Sequence, residues 1–153
     1  VLFRSVRMRR HSCVLFLLLS ILGLANSASA QEAGSAGKQD SGFILEQNYP
    51  NPFNPETKIP FVLLEELFVD GKPVVVSIRI FNVLQQFITA PTALNHPRGD
   101  GVPVLELEYP NPGRFEAYWD GRDERARQVA SGVYFVQLTV NGKTQFQRMY
   151  VTK

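Results

Sequence analysis

The chain of 153 residues is poor in the residues that most often carry chemistry: it has one cysteine, Cys13, one tryptophan, Trp119, and two histidines. A single cysteine excludes an intrachain disulfide and a thiolate metal cluster, so packing alone must hold the fold. Long apolar runs are also missing. The longest, Val14 to Ala25, is about a dozen residues where a membrane-spanning helix needs about 20. Nor is there a surplus of one charge. Lysine and arginine total 16 against 14 acidic residues, and four of the basic ones, Arg4, Arg7, Arg9 and Arg10, precede residue 11. Without them the remainder is slightly acidic, with no basic concentration of the kind that nucleic acid requires.

What is present is aromatic and apolar. Eleven phenylalanines and five tyrosines, in a chain that is 44% hydrophobic, suffice for one core. From residue 43 onward no helical stripe of any length occurs. Short runs with alternating or β-branched residues are separated by Gly, Pro and Asn, the pattern of an all-β fold. The expected strands are Lys58 to Leu63, Val74 to Asn82, Gln86 to Thr89, Val104 to Glu108, Arg114 to Trp119, Val133 to Val140 and Thr144 to Thr152. About seven strands fit an immunoglobulin-like antiparallel β-sandwich. Asn141-Gly142 suits a type I′ turn between the last two, and Tyr134, Val136, Leu138 and Val140 form the face expected to point inward. Leu64 to Asp70 reads either as a short helical turn or as a strand end with a loop. Thr89 to Pro103, broken by prolines and glycines, reads as a long surface loop.

The amino-terminal part has a different character. Residues 1–7 lie upstream of the first methionine and read as an upstream or fragment edge. Residues 8–30 combine basic residues, the apolar run and a small-residue Ala28-Ser29-Ala30 site, which describes a secretory signal peptide. Cys13 precedes the apolar run, which argues against lipidation. Residues 31–42 read as a flexible linker, leaving 43–153 as the folded domain, with no transmembrane helix after signal removal.

The most specific stretch is Asn48-Tyr49-Pro50-Asn51-Pro52-Phe53-Asn54-Pro55. Its prolines are expected to hold the chain extended, its asparagines to bond to nearby backbone, and Tyr49 and Phe53 to anchor it on the sandwich. Four further blocks follow: Ser77 to Leu84; Pro112 to Asp123, with Trp119-Asp120-Gly121; Val129 to Phe135, with Ser131, Gly132 and Tyr134; and Arg148 to Lys153, with Met149. Together they resemble the carboxy-terminal sorting domain (type A) of proteins exported by the type IX secretion system, and the related immunoglobulin-like domain of the flagellar hook-capping protein. Gln85 and Ala126 stand where that family has turn glycines, so a positive φ at either would cost strain. The connection from Thr89 to Pro103 is longer than the family's.

The resemblance implies a non-catalytic sorting or attachment module, with the segment from Met149 to Lys153 read by a protein secretion or surface-attachment apparatus. It implies an exported location, in the periplasm in transit and then at the cell surface or outside. It also implies a cargo domain, which the signal, linker and domain leave no room for. The alternative is a structural module packing beside copies of itself or a filament subunit, or, less favoured, a carbohydrate-binding module using Trp119. No cofactor is expected. Asp120, Asp123 and Glu124 lack the spacing of a calcium loop. Trp119 shares a strand face with Phe115 and Ala117 and is expected in the core. Ser131 and His96 sit in no nucleophile elbow, so an enzyme is not expected.

Overall fold

The computed structural model describes residues 41–153; the segment read as a signal peptide, residues 8–30, and most of the segment read as a linker lie outside them. These residues form two antiparallel sheets stacked as a β-sandwich. The strands are β1 (Phe43–Leu45), β2 (Thr57–Leu63), β3 (Val74–Asn82), β4 (Phe87–Thr89), β5 (Thr92–Leu94), β6 (Leu107–Tyr109), β7 (Gly113–Trp119), β8 (Gly132–Val140) and β9 (Lys143–Val151). The first sheet runs β1-β2-β7-β5. The second runs β4-β3-β8-β9, with β6 pairing on β3 beside β4. A 3-10 turn at Glu65–Phe68 takes the helical of the two readings open for Leu64 to Asp70.

The long strands follow their alternation. On β8, Tyr134, Val136, Leu138 and Val140 are buried, opposite Val76, Ile78 and Ile80 of the same ladder. Val140 pairs with Lys143 across Asn141 and Gly142, whose φ values of 46° and 82° suit the type I′ turn.

The short elements depart from expectation. Nine strands are present among the described residues, not seven. The expected surface loop contains β5, which pairs with Glu116, Ala117 and Tyr118 of β7, and buries Pro91, Ala93 and His96. The strand expected at Val104 to Glu108 is shifted to Leu107–Tyr109. Val104 instead closes the seam between the sheets: its N–H donates to Pro91 O at 2.9 Å and its carbonyl accepts from Ile78 N at 2.8 Å. Three-residue strands are too short to show a period, and a residue bonded to both sheets belongs to neither pattern. Ser41 and Gly42, read as linker, are buried.

Two loops are copies of one device. Asn82 Oδ1 accepts from Leu84 N and Gln86 N, and Asp123 Oδ1 accepts from Arg125 N and Arg127 N. In each, the fourth residue has positive φ, 60° at Gln85 and 58° at Ala126, and its N–H returns to the first residue's carbonyl. This is the type I turn closed by a left-handed residue that glycine ordinarily fills. The geometry persists without glycine because the Asx bonds hold it, at the strain cost a side chain carries there.

Candidate functional site

The Asn48 to Pro55 run is a strap over one end of the sandwich. It is not the extended lead-in that its prolines suggested: bends at 50–52 and 54–55 flank single bridges at Tyr49 and Phe53, and the bonds preceding Pro50, Pro52 and Pro55 are cis. Asn48 is buried and turns inward, donating to Thr57 Oγ1 at 3.0 Å and Pro50 O at 3.1 Å. Asn51 bonds far along the chain, accepting from Tyr150 N at 2.9 Å. Pro50, Pro52, Asn54 and Pro55 are exposed.

The strap binds both sheets. Phe53 donates its N–H to Tyr150 O and accepts at its carbonyl from Thr152 N, each at 2.9 Å, and so adds a parallel bridge to the outer edge of β9 at Val151. Its ring lies 5.4 Å from that of Trp119, edge to face, and Trp119 lies 5.6 Å from Tyr134. Tyr134 pairs across the ladder with Met149, which is fully buried. Gly121, with φ +71°, packs so tightly beneath the strap that a Cβ would sit 2.3 Å from Pro55 O. Only glycine fits that approach.

Toward the first sheet, the Tyr49 hydroxyl donates to Glu116, which also faces Arg114 at 3.2 Å and Lys58 at 3.7 Å. The Tyr49 bond, then Lys58 and Arg114, hold the Glu116 carboxyl below its ordinary value against the opposing effect of burial. Tyr118, bonded to Glu56, is pushed up to about 12.

Several expected residues stay outside this cluster. Ser131, Gly132, Asp120 and Lys153 are exposed. His96 is buried, with Nδ1 accepting from Arg98 N and Nε2 against Glu108 O at 2.9 Å, so its acceptor nitrogen is already engaged and cannot serve as a base toward Ser131. Asp123 is held by Arg127, by both side chain and backbone, which lowers its pKa. Trp119 is 2% exposed and donates Nε1–H to Arg122 O at 2.9 Å. That burial corrects the sugar-platform alternative, which needs an accessible ring face.

The segment from Met149 to Lys153 is accessible only in part, at the side chains of Tyr150, Thr152 and Lys153. Met149 and Val151 are buried, and the outer backbone edge from Tyr150 to Thr152 is taken by Asn51 and Phe53. The open part of β9 lies further back, at Thr144 to Arg148, beside an aromatic outer face that sequence reasoning missed. That face carries Phe81, Phe87, Phe135 and Phe146. The signal for it was present: β3, β4, β8 and β9 have aromatics on the face opposite their core residues.

No protein-family model matches the chain, and no curated protein matches it. Among solved structures it is similar to PorZ, described as an essential bacterial surface component of the type-IX secretion system of Porphyromonas gingivalis, at 20% identity with a TM-score of 0.43. The match covers 79% of this chain and 13% of that one, so the chain spans a small fraction of that protein's length.

Proposed function

We propose that the folded part of this chain is a non-catalytic sorting or attachment module of an exported protein, of the kind its motifs resemble in type IX cargo. The reading is carried by one observation: motif blocks far apart in sequence meet in one contact set. Phe53 of the strap packs edge to face against Trp119, Gly121 seats Pro55, and Phe53 pairs with β9 at Val151. On this reading the motifs close the fold's end and hold the carboxy-terminal strand in a set position, presenting Tyr150, Thr152 and Lys153 outward. The test places a fluorescent protein between Ala30 and Ser41, upstream of the described residues, in a type IX-competent bacterium and its translocon mutant. Surface or medium fluorescence in the competent strain alone is expected; periplasmic retention in both would overturn the reading.

A further inference from the structure

The outer face of the second sheet has three features that point to one kind of partner. Its rows read Arg79, Gln137, Phe146 and Phe87, Phe81, Phe135, Arg148 across the strands. Phe81, Phe135 and Phe146, with Asn82, Val83, Gln85 and Gln137, line an open cleft of about 540 Å³. Phe146 and Val83 are each 61% exposed and Leu84 is 74% exposed. A contiguous apolar area of this kind, rimmed by polar groups, marks an interaction site more often than idle surface.

The second feature is charge. Among the described residues neither Arg79 nor Arg148 makes an ion pair, in common with Lys72, Arg125, Lys143 and Lys153, whereas Lys58, Arg98, Arg114, Arg122 and Arg127 do. Among the described residues the one carboxylate that the strands of this sheet place on that face is Glu108 of β6, opposite Val75 at the far edge of β3 and paired with Arg98 at 3.6 Å. Two uncompensated guanidiniums at diagonal corners of an aromatic surface call for an acidic partner.

The third is the ladder. The uninterrupted β8–β9 register alternates inward and outward backbone groups. Because Tyr150 and Thr152 bond outward to the strap, Thr144, Phe146 and Arg148 also face outward. Gln47 Nε2 donates to Arg148 O, but among the described residues the outward groups of Thr144 and Phe146 and the Arg148 N–H have no partner. An exposed edge of this kind accepts a further strand.

We propose that the edge of β9 from Thr144 to Arg148 receives an extended segment of another protein, with an apolar side chain opposite Phe146 and a carboxylate opposite Arg148. This docking is a property of the folded domain and does not rest on the export reading.

The test uses the full chain and a synthetic, end-blocked heptapeptide, Thr-Glu-Thr-Phe-Thr-Glu-Thr, which presents the same face in either strand direction, together with the same peptide bearing Lys for Glu. The Glu peptide is expected to bind at least about tenfold more tightly than the Lys peptide, and to slow amide exchange at Phe146 and Arg148. Arg148→Glu should invert the peptide preference. Phe146→Pro should abolish binding while leaving the fold intact, because the donor it removes points away from β8. Equal binding of both peptides, or binding indifferent to both substitutions, overturns the proposal. So does a self-association of the chain that Phe146→Pro abolishes, since that would assign the edge to a second copy.

Discussion

The two outer faces of this sandwich are built from similar strands and serve opposite ends. On the first sheet, Lys58, Arg114 and Glu116 sit beside Glu46 and Tyr49 in a continuous charge and hydrogen-bond network, so each polar group is answered from within the chain. On the second, Phe146 lies open beside the half-buried Phe81 and Phe135 and two arginines that make no ion pair among the described residues, next to an edge where Gln47 meets the Arg148 carbonyl and the outward groups of Thr144 and Phe146 have no partner among those residues. A face whose interactions are satisfied internally contributes to the fold. A face left unsatisfied at some cost to solubility is where an outside partner gains most.

The sharpest way to break this comparison is one truncation made on each side of it. Phe53→Ala removes a 1% exposed ring wedged between Trp119 and β9 and should cost about 3–5 kcal/mol. Phe146→Ala removes a ring of the same size from the open face and should cost under about 0.5 kcal/mol. Urea unfolding of both variants decides it; equal losses would mean that the second face is structural as well. Gly121→Ala should follow at about 2–4 kcal/mol, from left-handed strain and overlap with the strap carbonyl, read as a fall in Tm.

Glu116→Gln tests the charged face through pH. The Glu116 carboxyl is held below its ordinary 4.5, so its contribution is fully present above that value and is lost as pH falls through the folded one. The wild-type chain should therefore lose more stability than the variant in that acid window, and parallel melting curves against pH would remove the network from the account. Ala126→Gly should raise stability by about 0.5–1 kcal/mol by relieving the positive φ, a change confined to its loop. The smallest effect is expected from Leu84→Ser. Its Tm should stay within the roughly 0.5 kcal/mol equivalent of a neutral surface change, while binding of an apolar dye to the second face falls.

Legibility followed element length. Strands of seven to nine residues carry enough alternation to reveal their buried face, and the inward set expected on β8 is the one buried, although the strand begins one residue earlier, at Gly132. Trp119 was assigned to the core from two neighbours on its own strand. β5, only three residues long between Pro91 and Pro97, looked like loop because its partners lie on β7, more than twenty residues away in sequence. The strap shows the same limit within one motif. Its residue types announced something rigid, and Tyr49 and Phe53 were recognised as anchors, but that Asn51 would bond to Tyr150 and Phe53 would cap β9 was not contained in local spacing.

Composition and periodicity by themselves determined an all-β chain held by packing, the hairpin at Asn141-Gly142 and the inward face of its longest strands, because these depend on residues within a few positions of each other. Only the tertiary structure decided that the strap occupies the end of the closing strand, that Val104 seals the seam between sheets, and that the open edge lies at Phe146. Each of those follows from backbone groups of distant segments competing for the same hydrogen-bonding positions, and that competition is settled in space.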